Sequence, residues 1–175
     1  NYPITAIKQR NKSRKYLAAL SPDSLHYSCN FSDIHLVNLN LCPGRIDKTL
    51  NNKKISKPRN SLDFLENDLK NNIPAPGSPV IITHHYGLDK SSLNWWSQKD
   101  ITDYENLIKD YNVIAVIHGH TQQHMYYRSK GINFFSIAAA LRQNWAAINI
   151  KDNRLTVAQM IGSRFHNVTH QKIKR

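Results

Sequence analysis

Two short, uninterrupted apolar runs constrain this chain more than any other feature. Val80-Ile81-Ile82-Thr83 and Val113-Ile114-Ala115-Val116-Ile117 are too short for a buried helix and too continuously apolar for a strand with one wet face, so they predict strands covered on both sides. Between them, residues 100–109 place Ile101, Tyr104, Leu107 and Ile108 on one helical face. Strand, helix, strand is the unit of an α/β sheet. Each run ends in histidine: Thr83-His84-His85-Tyr86-Gly87 after the first, Ile117-His118-Gly119-His120-Thr121 after the second. Imidazoles at the C-terminal ends of neighbouring strands lie where open α/β sheets build their sites, and neutral imidazole is a good ligand for zinc, iron or manganese. One strand-end histidine more often bonds a loop carbonyl, but paired histidines on consecutive strands favour ligation.

The rest of the chain reads more simply. Residues 4–20 suggest an interrupted surface helix that stops before Ser21-Pro22-Asp23. The pattern then turns to a hairpin, with its turn at Ser32-Asp33. Residues 42–60 are charged, Asn-rich loop. They precede a helix over residues 61–69 that Ser61 can cap and in which Leu62, Leu65 and Leu69 share a face. Beyond His120, four apolar stretches, 125–128, 132–137, 145–150 and 155–161, are parted by turn signals and predict a strand meander. The expected organisation is one unit over residues 1–175, its core at 25–161 between a basic segment, 1–24, and a basic tail, 162–175.

Composition narrows the function classes. No window approaches the roughly 20 apolar residues of a membrane-spanning helix. The two cysteines, Cys29 and Cys42, make neither a disulfide scaffold nor a CxxC zinc site. The net charge is +12, with basic residues gathered in 8–15, 48–59 and 164–175. Those clusters lack the aromatic interleaving that stacks bases, so they give no strong nucleic-acid signal and read as solvated surface. The loop at 48–59 could also draw a polyanionic substrate, although solvated loop is the favoured reading. The compartment is left open.

The two histidine-bearing motifs resemble the last two metal motifs of the calcineurin-like metallophosphoesterases, in which one histidine follows a buried strand and a later Gly-His-x-His supplies two more. The hairpin His26-Tyr27-Ser28 to Ile34-His35-Leu36-Val37-Asn38-Leu39-Asn40 is similar to the one that follows that family's Gly-Asn-His-Asp motif. Leu41-Cys42-Pro43-Gly44, Trp95-Trp96 and Gly131-Ile132-Asn133-Phe134 extend the likeness across residues 27–161. The family's upstream motifs, Asp-x-His, Gly-Asp and Gly-Asn-His-Asp, have no match here. The resemblance therefore implies the C-terminal half of an α/β sandwich of two sheets flanked by helices, the missing N-terminal half being its natural partner.

The resemblance also implies residue roles. His85 would be the strand-end ligand with His84 supporting it, or the two in reversed roles, and His120 would bind the second metal. Gln122 stands where the family has its last histidine, offering an amide oxygen, a harder and weaker ligand. His118 is off the motif and is expected to be structural. Tyr86, Trp95, Trp96 and Arg128 are candidate substrate contacts, the tryptophans being equally readable as a cover on the following helix. No catalytic residue is assigned in this stretch. The implied cofactors are two divalent ions (manganese, iron, zinc or similar), and the implied reaction is hydrolysis of a phosphorylated substrate by a dinuclear centre that this chain alone does not complete. The rival is a degenerate, non-catalytic relative that binds an anionic partner.

Overall fold

The computed structural model describes residues 4–40 and 60–173. Cys42 and the basic loop at 48–59 lie outside the described residues.

The apolar runs are strands, as their composition demands. Val80–Thr83 (β4) and Val113–His118 (β5) pair in parallel, with Ile34–Asn38 (β3) beside β4 and Ile132–Ser136 (β7) beside β5, also parallel. Three antiparallel strands finish this sheet: Leu17–Leu20 (β1) and Tyr27–Phe31 (β2) on one side, Met125–Ser129 (β6) on the other. Its order is β1-β2-β3-β4-β5-β7-β6. Because β3, β4, β5 and β7 run the same way, their C-terminal ends share one edge, and both histidine motifs fall there.

The sheet is covered on both faces, which explains its unbroken apolar runs. Helices Ser61–Asn71 (α2) and Gln98–Ile108 (α3) cover one face, where Leu62, Leu65, Tyr104 and Ile108 meet Val80, Ile82, Val116 and Phe134. The other face packs on a second sheet, order β10-β9-β8, built from Asn144–Lys151 (β8), Arg154–Ile161 (β9) and Arg164–Lys172 (β10). There Leu155, Val157 and Ile173 meet Ile81, Ile114, Ala115 and Phe135. Alternate residues of β4 thus serve different cores, Val80 and Ile82 the helices and Ile81 the second sheet.

Several expectations need correction. The N-terminal helix (α1) spans only Ile4–Lys12. Tyr16 turns the chain at φ 63°, and Leu17–Leu20 then pairs with β2 as an edge strand. Ser61 does not cap α2: the cap position is Asn60 at φ 77°, a left-handed conformation that asparagine tolerates, and Ser61 is buried in the first turn. The meander does not stay in one sheet. β6 and β7 close the first sheet, while β8 and β9 belong to the second. The basic tail is largely β10, paired with β9 from Arg164↔Ile161 to Lys172↔Arg154 with a register shift between Phe165 and Asn167. An edge strand with mostly exposed side chains carries little apolar alternation, so its sequence looks like tail.

Candidate metal centre

Backbone hydrogen bonds carry order past the strand ends and fix both histidine motifs. His84 N–H donates to Ile117 O (3.1 Å), Gly119 N–H to His85 O (3.1 Å) and Ile137 N–H to His118 O (2.8 Å). A cleft of about 450 Å³ opens along this edge, lined by Asn38, Asn40, Thr83, His85, His118 and Gly119 among others. His85 is its exposed imidazole. His120 stands beside His85, the ring centroids 5.3 Å apart.

That spacing fits a shared ion. A metal about 2.1 Å from an imidazole nitrogen lies about 3.2 Å from the ring centroid, so two rings on one tetrahedral ion stand roughly 5 Å apart. Partial burial, and secondarily the neighbouring His120, hold the His85 pKa below its ordinary value and so favour the neutral, ligating form. Among the described residues no three His, Cys, Asp or Glu side chains converge to hold a metal ion.

The remaining candidates separate into groups. His84 borders the cleft but packs its ring into the helix-side core: it is buried, its Nε2 meets Tyr104 Oη at 3.1 Å, and Trp96 and Tyr104 abut its ring edge-on. Burial, reinforced by His118, lowers its pKa to about 3. This geometry favours His85 over His84 as the ligand. His118 is buried with both nitrogens engaged, Nδ1–H donating to Gly119 O at 3.2 Å and Nε2 meeting Tyr127 Oη at 3.0 Å. Burial is the main cause of its lowered pKa as well.

Tyr86 and Trp95 join the His85–His120 edge. Their rings stack at 4.7 Å, and Tyr86 lies 4.4 Å from the His120 ring. Trp96 does not join them. It is 6% exposed and packs on Tyr104, so it belongs to the core and offers no surface to a substrate. Arg128 is also misplaced by the sequence reading. Met125 is the β6 residue opposite Ser136, which pairs with His118, whereas Arg128 pairs with Asn133 toward the far end and donates to Gly131 O. Gln122 is exposed on the turn past His120, at φ 55°, outside the residues that line the cleft.

The sequence reading missed Asn38, Asn40 and Tyr127 as parts of this region. The asparagines stood inside the quoted hairpin motif and could have been found from the parallel register of β3 with β4. Tyr127 carried no signal, because only the pairing of β6 with β7 brings it under the site. A larger cleft, about 510 Å³, lies between the β1–β2 turn and α2, lined by Asp23, Asn60 and Asp68 among others. Asp23 there already accepts Ser21 O–H and Leu25 N–H, and Asp68 accepts Ser28 O–H, so these carboxylates are spent on structure.

Comparison with solved structures decides the fold. A dimetal phosphatase from Danio rerio superimposes with a TM-score of 0.66 at 11% identity, over 99% of this chain and 69% of the phosphatase. The chain has the calcineurin-like phosphoesterase fold. A zinc-complexed Vps29 from Entamoeba histolytica matches more weakly, with a TM-score of 0.32 at 11% identity over 79% of this chain and 99% of Vps29. No protein-family model matches the sequence, and no curated protein does. Within this fold the His85–His120 edge lies at the C-terminal ends of the central parallel strands, the usual place for a site in an open α/β sheet.

Proposed function

We propose that this chain belongs to a metal-dependent phosphoesterase and contributes His85 and His120 to its metal centre. The observation that carries the reading is the 5.3 Å pairing of the two imidazoles at the strand edge, one of them lining an open cleft. The Danio rerio protein of like fold is a dimetal phosphatase, which supports the same reading. A divalent ion there would act as a Lewis acid on phosphoryl oxygens and lower the pKa of a bound water. The chain's own residues do the rest. His85 and His120 present imidazole nitrogens from the turns that follow β4 and β5, and the Asn38 and Asn40 side of the cleft leaves room for an anionic group. Gln122, on the turn beyond His120, is the candidate weak ligand for a second ion.

A rival reading, an anion-binding protein without catalysis, is favoured by the lack of a third convergent ligand among the described residues. One experiment separates them. Calorimetric titration with Zn²⁺ or Mn²⁺ is expected to show binding that His85→Ala and His120→Ala each weaken at least tenfold, with metal-dependent hydrolysis of p-nitrophenyl phosphate. Metal binding indifferent to both substitutions would refute the proposal in favour of the rival.

A further inference from the structure

We propose that the loop following β4, from Tyr86 to Asp89, is a bracket that fixes the His120 imidazole for metal binding, with His118 and Tyr127 as its positioning residues. The inference rests on the metal reading of His85 and His120.

His120 needs support from outside its own backbone. It sits at φ 69°, left-handed for a residue with a side chain, on a turn with no regular structure. Its ring is held instead by neighbours: Tyr86 at 4.4 Å, His85 at 5.3 Å and Trp95 at 5.6 Å. Tyr86 is only 7% exposed and is itself stacked on Trp95, so its face is committed to this packing and little of it is left for a substrate.

Tyr86 is placed in turn by the two residues after it. A Cβ on Gly87 would lie 2.4 to 2.6 Å from three atoms of the His118 ring, so the loop backbone rests directly on that imidazole and only glycine permits the approach. Leu88 N–H donates to Tyr127 Oη at 2.9 Å. The hydrogen-bond chain then has one consistent direction. His118 Nδ1–H donates to Gly119 O, which leaves Nε2 as an acceptor. Tyr127 O–H donates to that Nε2 while its oxygen receives Leu88 N–H. Asp89, at the end of the loop, places its Oδ2 4.0 Å from His118 Nδ1. A tyrosine on β6 and a histidine on β5 thus set the loop from β4 that orients the ligand at the end of β5. Tyr127 is not among the residues that line the cleft and His118 is, with both ring nitrogens engaged; both act on His120 through Tyr86.

Replacing Tyr127 by Phe removes the hydroxyl that joins His118 to Leu88 and leaves the aromatic packing intact. Outer partners that orient a metal-binding histidine typically contribute 10- to 100-fold in affinity. Tyr127→Phe is therefore expected to weaken Zn²⁺ binding about 10- to 100-fold in calorimetric titration and to reduce the visible absorption of the Co²⁺-loaded protein. In the metal-free protein it should also move the His120 ring-proton resonances, which the Tyr86 ring current displaces. Gly87→Ala, which pushes the loop off His118, should do the same more strongly, with circular dichroism confirming a folded chain. Zn²⁺ affinity within threefold of wild type and unmoved His120 resonances in Tyr127→Phe, alongside loss of binding in His85→Ala, would overturn the bracket alone. Zn²⁺ binding that His85→Ala leaves unchanged would overturn the metal reading and the bracket with it.

Discussion

Truncating Asp68 to Ala tests how the helix layer is fastened to the sheet. Asp68 lies on α2 and is 1% exposed. Its Oδ1 accepts Ser28 O–H from β2 at 2.7 Å, and its Oδ2 accepts His35 Nε2–H from β3 at 2.9 Å. Ser28 and His35 are both fully buried. His35 Nδ1 meets Asn30 Oδ1 at 2.6 Å, and Asn30 Nδ2 donates to Asn72 O just beyond α2, so the network joins three elements. Asp68→Ala strands two buried donors, each at a cost of about 1–3 kcal/mol, for a total of roughly 2–6 kcal/mol. At about 2–4 °C per kcal/mol for a chain of this size, a central cost of ~4 kcal/mol lowers Tm by about 8–16 °C. Ser28→Ala removes one donor and one bond, and should cost about 1–3 kcal/mol because the His35 contact survives. Urea unfolding followed by circular dichroism gives both values. A loss below about 1 kcal/mol for Asp68→Ala, or a larger loss for Ser28→Ala, would refute the reasoning.

Two further outcomes follow from local chemistry, beside those set out for the metal site and its bracket. The His84 pKa is lowered from 6.5 to about 3 by burial and then by His118. Its contribution to stability is therefore whole above pH 6.5 and is lost as pH falls toward 3, because the unfolded chain takes up a proton that the folded one refuses. With a slope of about 1.4 kcal/mol per pH unit, metal-free protein should lose about 2 kcal/mol between pH 7.5 and 5 from this residue, with His85 and His118 adding in the same direction. Urea titrations in chelator at the two pH values check this, and a curve that His84→Gln does not flatten would count against it. Ser97 caps α3, its Oγ accepting Asp100 N–H at 3.0 Å, so Ser97→Ala should cost about 1 kcal/mol by the same assay, with no change in Zn²⁺ affinity.

The sequence by itself determined the sheet's centre and the edge where the histidines gather. Short continuous apolar runs bounded by turn signals are of the sort found in strands covered on both faces, and whatever follows such strands lies at their C-terminal ends, so β4, β5 and the placement of His84, His85, His118 and His120 were legible from local pattern. The helix on either side of β4 was legible for the same reason, since Leu62, Leu65 and Leu69, like Tyr104 and Ile108, repeat at helical spacing. Tertiary structure alone decided the rest. β1 and β10 are edge strands whose side chains need not alternate, so only their backbone partners reveal them. The division of the late strands between two sheets depends on which face meets Leu155 and Val157, a long-range choice invisible in any window. Trp95 and Trp96 are adjacent in sequence and opposite in fate, one edge-on to His120 and the other sealed against Tyr104. Of the two neighbours His84 and His85, the alternation of the strand sends one into the helix core and the other into the cleft, and the direction of that alternation is fixed by which layer lies on which side.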